Sequence, residues 1–202
     1  LEIKDGDTRI ISAGIDAVDK IKEESFAMYQ SNRLRVEFKL GFNHAGNSGR
    51  LYTWSDAATR IFDNIHVTDK AGVKAMAKFY KSLKISNLPQ KEQIRAIENH
   101  LKNTIGIQKG YDPNFSDVEK IIANKYANEQ GIMRVYTALF QQANIPYEVV
   151  LTSDRSTARF DADFESWKYL ENYAFYFPSE NVFMAPTEVE MRYGMIPSYW
   201  TE

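Results

Sequence analysis

Between Thr53 and Gln142 the apolar residues recur at three- and four-residue intervals, and after Ile145-Pro146 they fall into short runs and alternations. The first period belongs to helices and the second to strands. Helices first and strands later, with the last two strands a hairpin's spacing apart, specify an α+β architecture with the helices packed on a C-terminal antiparallel sheet. No internal repeat or low-complexity segment interrupts this order.

Local signals set the expected boundaries. Thr53 reads as the N-cap of a helix through Ala57, Ile61 and Phe62, with Asp56 as its acidic partner. A second helix is expected over 69–83. A third opens with Pro89 as its first residue and runs through Ile94, Ile97 and Leu101. Ser116-Asp117-Val118-Glu119 reads as a capping box for a helix to about Ala127, and Asn128 or Gln130 starts the next, closing before Ile145-Pro146. Strands are expected over 147–152, 170–177 and 181–185, with 153–168 a long polar excursion between the first two. Residues 1–49 read as an extension to a domain spanning 50–202. In that extension Asp5-Gly6-Asp7 marks a turn between β-prone segments, and Asp16–Gln30 carries Val18, Ile21, Ser25 and Met28, with Phe26 nearby, at helical spacing. Over 33–42, Leu34, Val36, Phe38 and Leu40 alternate with Arg35, Glu37 and Lys39, the pattern of a half-buried strand.

Composition removes several functions. The net charge is −2 and the basic residues are scattered among acidic ones, which gives no footprint for nucleic acid. No segment approaches the roughly 20 apolar residues of a membrane span. Residues 1–15 lack the basic start and apolar run of a signal peptide, and a start at Leu1 is expected of a mature or excised fragment. There is no cysteine, which eliminates disulfides, thiolate metal ligands and thiol nucleophiles together.

Glu129-Gln130-Gly131-Ile132-Met133-Arg134-Val135-Tyr136-Thr137-Ala138-Leu139, then Ala143-Asn144-Ile145-Pro146-Tyr147-Glu148-Val149-Val150-Leu151, then Asn172-Tyr173, Ala185-Pro186-Thr187 and Tyr193-Gly194-Met195-Ile196-Pro197 follow one another in order. This succession resembles a transglutaminase-like domain of the papain type over roughly residues 50–200. The resemblance implies a nucleophile helix, an Ile-Pro turn, a strand, and two further strands that carry a His and an Asp. On it the nucleophile position falls on Met133, the His on Tyr173 and the Asp on Ala185. A thioether cannot ionise or carry an acyl group, a phenol of pKa about 10 is a poor base near neutrality, and a methyl group orients nothing. The resemblance therefore implies a catalytically degenerate member that needs no cofactor. It would serve as a binding or structural module of an exported bacterial protein, periplasmic or extracellular.

Two other functions have residues to offer. Trp167, Tyr169 and Tyr173 are candidates for a row of aromatic faces that binds a glycan, or a cleft that takes a peptide. Asp161, Asp163 and Glu165 are candidates for a hydrolase that reuses the cleft. His44, His66 and His100 all precede the expected nucleophile helix and share no metal-ligand spacing.

Overall fold

The computed structural model describes residues 2–200 except Asp7, Glu23, Phe26, Ala27 and 44–46. His44 and Phe26, both weighed in the sequence, thus lie outside the described residues.

The extension contains two antiparallel hairpins, β1 (Glu2–Asp5) with β2 (Thr8–Ile11) and β3 (Phe42–Asn43) with β4 (Asn47–Arg50). Between them, among the described residues, only Tyr29–Asn32 is helical (α1). The helix expected over 16–30 does not form there. Val18 is 61% exposed, and among the described residues none of the stripe's side chains is buried in the core, so little burial repays helix nucleation. The alternation over 33–42 is real, but its facing is inverted, and among the described residues it has a strand partner only at its end, where Phe42 pairs with Arg50. Arg35 donates to the Thr157 carbonyl (2.8 Å) and Lys39 to that of Glu165 (2.8 Å), while Glu37 pairs with Arg35 and Lys168 and accepts from the Tyr169 hydroxyl. The polar side docks and the apolar side faces out.

From residue 53 the helices follow the sequence closely. In α2 (Trp54–Ile65) Thr53 Oγ1 accepts from the Asp56 amide at 3.0 Å. Asp69 caps α3 (Lys70–Leu83). Pro89 stands just outside α4 (Gln90–Thr104), one position earlier than expected. Asp117, in place of the Ser116 that the expected capping box would use, caps α5 (Val118–Asn124), which ends three residues before Ala127 because Lys125 turns left-handed. Tyr126–Ala127 (β6) then pairs in parallel with Gly106–Ile107 (β5).

The central element is α6 (Glu129–Gln142), capped by Asn128, whose Oδ1 accepts from the Gly131 amide at 2.9 Å. Nine of its fourteen residues are buried, which is why its apolar pattern wraps nearly all round. One side meets the other helices, and Thr137 there donates to the Ile65 carbonyl at 2.6 Å. The other meets the antiparallel sheet β7 (Glu148–Thr152), β8 (Asn172–Phe177), β9 (Val182–Met184), in that spatial order. Tyr136 and Phe140 pack against Phe175, and Phe140 also meets Tyr147 and Phe177, with ring centres 5.1–5.8 Å apart. The far face of the sheet has its own small core of Ala174, Ala185 and Trp200. Among the described residues every buried hydrophobic lies from Ala57 onward, so the core belongs to the helices and this sheet.

The polar excursion 153–168 is tethered. Trp54 Nε1 donates to the Ala162 carbonyl at 2.7 Å and the Arg155 amide to that of Tyr199 at 2.9 Å. No helix of the described residues is long and apolar enough to cross a membrane.

Candidate functional site

The first turn of α6 opens onto a cleft of about 430 Å3, lined by Ile107, Gln108, Lys109, Gly110, Asn128, Glu129, Gln130 and Tyr173. That volume falls within the range of small-molecule and short-peptide sites. Three structural facts build it. The parallel pair β5–β6 carries the chain from Ile107 and from Ala127 to the same end of the molecule. The Asn128 cap starts α6 there, and Asn128 Nδ2 also donates to the Gly110 carbonyl at 3.4 Å, tying the 108–110 wall to the helix. Strand β8 supplies Tyr173, half-buried on the face that packs against the main core. A smaller cavity of about 150 Å3 shares Asn128 and Gln130 and adds Asn64, Tyr111, Asp112 and Arg134.

Close packing fixes the helix that forms one wall. A Cβ on Gly131 would stand 2.6 Å from the Phe115 carbonyl oxygen and 2.9 Å from the Ala127 Cβ, so only glycine lets α6 sit this near its neighbours.

The chemistry of the cleft is that of hydrogen-bonding groups and one charge of each sign. Burial, together with the Glu129 carboxylate, raises the Tyr173 phenol above its ordinary pKa, so it is protonated near neutrality and donates. Glu129 is an acceptor at the helix N-terminus, where the dipole favours an anion. Lys109 supplies a cation, and Gln108, Asn128 and Gln130 supply amides with both donors and acceptors.

The structure separates the three positions that the sequence grouped. Met133 is the fifth residue of α6, fully buried in the core, because the Asn128 cap sets the helix start four residues before it. The α6 side chain that lines the cleft with Tyr173 is therefore Glu129. Asn128 as cap was the signal that could have found it. Ala185 is buried on the opposite face of the sheet, packed with Ala174 and Trp200. Of the three, Tyr173 alone lines the cleft.

The aromatic row is also divided. Tyr169 is 2% exposed, enclosed by Phe160 and Phe164 and crossed by Lys168, whereas Trp167 is 45% exposed against Tyr52. Burial, then Glu37, pushes the Tyr169 phenol up to about 12. Asp161, Asp163 and Glu165 serve the loop itself. Asp161 Oδ1 accepts from the Asp163 amide, and Glu165 accepts from the first amide of α2 at 3.1 Å while pairing with Arg50 at 2.9 Å. None of the three lines the cleft. Among the described residues no group of three or more His, Asp or Glu is placed to hold a metal ion. His66 donates from Nδ1 to the Phe62 carbonyl at 2.8 Å and accepts from the Tyr147 hydroxyl at 3.1 Å. His100 packs against Phe79.

Sequence reasoning missed a buried ion pair. Glu98 and Lys102, one turn apart on α4, are 1% and 9% exposed.

Compared with known proteins, the chain matches no family model, no curated protein and no solved structure.

Proposed function

We propose that this protein is a non-catalytic transglutaminase-like domain that acts as a ligand-binding module, with the cleft at the mouth of α6 as its site. The observation that carries the reading is that this cleft is open, at about 430 Å3, instead of being filled by the tyrosine at its edge. The order of elements supports the resemblance: a buried central helix, an Ile-Pro turn, then three antiparallel strands with Tyr173 on the middle one. The cleft presents the Glu129 carboxylate and the protonated Tyr173 phenol, and it has neither the thiolate nor the imidazole of acyl transfer. Export from a bacterial cell rests on the resemblance alone.

The lining favours a short peptide over a glycan. Three side-chain amides with one cation and one anion match a peptide's backbone and its charged side chains, whereas sugar stacking needs successive aromatic faces and only Tyr173 is present. A hydrolase built on Asp161, Asp163 and Glu165 is disfavoured by their roles in the loop.

A thermal-shift screen of the purified protein against short charged peptides and neutral oligosaccharides tests the reading. The expected result is a stabilising peptide whose effect is lost in Tyr173→Ala and kept in Trp167→Ala. Stabilisation by oligosaccharides that depends on Trp167 instead would overturn it.

A further inference from the structure

The chain carries both halves of a strand-addition contact. One half is the segment 34–40. Its side chains alternate: the polar ones are fixed to residues 157–169, and Leu34, Val36, Phe38 and Leu40 are 63%, 76%, 90% and 79% exposed. Among the described residues none of its backbone N–H or C=O groups has a hydrogen-bond partner. An apolar row of period two on an unpaired backbone is the form in which a strand adds to another sheet.

The other half is the free edge of β7. That strand pairs with β8 on one side, and no described strand lies on the other. Beside it runs a mostly apolar groove of about 370 Å3, formed by Ala58, Ile61, Phe62 and Ile65 of α2 with Val149 and Leu151 of β7. Phe62 is 56% exposed at its rim. Val149 and Leu151 lie on the sheet face that packs toward α6, so a strand added at this edge would turn alternate side chains into the groove.

We propose that two copies of this protein associate by β-augmentation, each laying residues 34–40 along the β7 edge of the other with Val36 and Phe38 in the groove. A second copy is the occupant favoured here because the exposed strand and the matching edge with its groove are present in one chain. The area agrees: four side chains presenting roughly 100–200 Å2 each, counted with the surface they cover, bury on the order of 1,000 Å2 per contact and twice that in a reciprocal pair, the range of stable interfaces. Reciprocal exchange closes the assembly at two copies. This surface is separate from the α6 cleft, so the association stands or falls independently of ligand binding.

Sedimentation velocity on the full chain over a concentration series tests it. The wild type is expected to dimerise. Phe38→Asp, which spoils the strand, and Phe62→Asp, which spoils the groove, should each weaken the dimer about tenfold or more while far-UV circular dichroism is unchanged. Val189→Asp, at a site 50% exposed elsewhere, should leave it intact. A mixture of Phe38→Asp and Phe62→Asp copies retains one good strand facing one good groove, and should dimerise better than either variant alone. A monomeric wild type, folded variants that still dimerise, or a mixture no better than its components would overturn the proposal.

Discussion

Glu98 and Lys102 form a 2.8 Å ion pair whose side chains are 1% and 2% exposed, one turn apart on α4. Both partners also hold the C-terminal segment. Glu98 accepts from the Tyr193 amide at 2.7 Å and Lys102 donates to the Met191 carbonyl at 2.8 Å. Burial lowers the Lys102 pKa, and the Glu98 carboxylate opposes that shift. Removing one partner leaves the other charge buried alone. Lys102→Met and Glu98→Gln are each expected to cost about 3–5 kcal/mol in urea unfolding. The double variant Glu98→Gln/Lys102→Met should lose less than the sum of the two single changes, and strict additivity would show that the pair is not coupled.

Alkaline pH should unfold the protein through its tyrosines. Burial foremost pushes the Tyr147 and Tyr193 phenols up to about 12, as it does Tyr169. A folded pKa above the unfolded value of about 10 means that the unfolded chain loses its protons first. The stabilisation is therefore whole below pH 10 and is lost as pH rises through 12. Lys102, with its lowered pKa, acts in the opposite sense over part of this range. Melting temperature is expected to fall across that window together with a delayed phenolate absorbance. Ionisation of all twelve tyrosines near pH 10 without loss of stability would contradict the burial described.

The wall of the cleft should resist even a methyl group. Gly131→Ala brings a Cβ against the Phe115 carbonyl oxygen, a backbone atom that cannot swing aside. Overpacking of this kind costs about 1–3 kcal/mol, more than the roughly 1 kcal/mol that alanine gains over glycine within a helix. Asn128→Ala removes the α6 cap and is expected to cost about 1 kcal/mol. Chemical denaturation measures both, and a stabilised Gly131→Ala would show that α6 can move away from residue 115.

Docking of the 33–41 segment depends on Glu37. The hydrogen bond from Lys168, with Arg35 nearby, holds its carboxyl below the ordinary range, so this contribution is present above pH ~4.3 and fades on acidification below it. Surface pairs of this kind contribute about 0.2–1 kcal/mol each. Glu37→Ala should therefore leave the melting temperature nearly unchanged but speed trypsin cleavage after Arg33, Arg35 and Lys39. Unchanged cleavage would mean that other contacts hold the segment.

The sequence made the helices legible wherever their ends are local matters. Thr53, Asp69, Asp117 and Asn128 all cap helices through their own side chains. The three C-terminal strands were legible for the same reason, as short apolar runs bounded by turns. What could not be read depends on what each face meets. The stripe on 16–30 and the alternation on 33–42 give a period but not a partner, and Arg35, Glu37 and Lys39 turn inward because the 157–169 loop offers them carbonyls, a lysine and a tyrosine hydroxyl. The cleft was half legible. Tyr173, which lines it, was among the residues named from sequence, whereas Glu129 was not, because the start of α6 was left open between Asn128 and Gln130 and only the Asn128 cap puts Glu129 in the first turn.

Chemical-shift mapping on the isotope-labelled protein tests the binding site most directly, with the stabilising peptide from the thermal-shift screen as titrant. The shifts are expected to concentrate on residues 107–110, 128–130 and Tyr173, to saturate, and to vanish in Tyr173→Ala. Shifts confined to the Trp167 loop or the α2 groove, or no saturable shift at all, would contradict a ligand site at the mouth of α6.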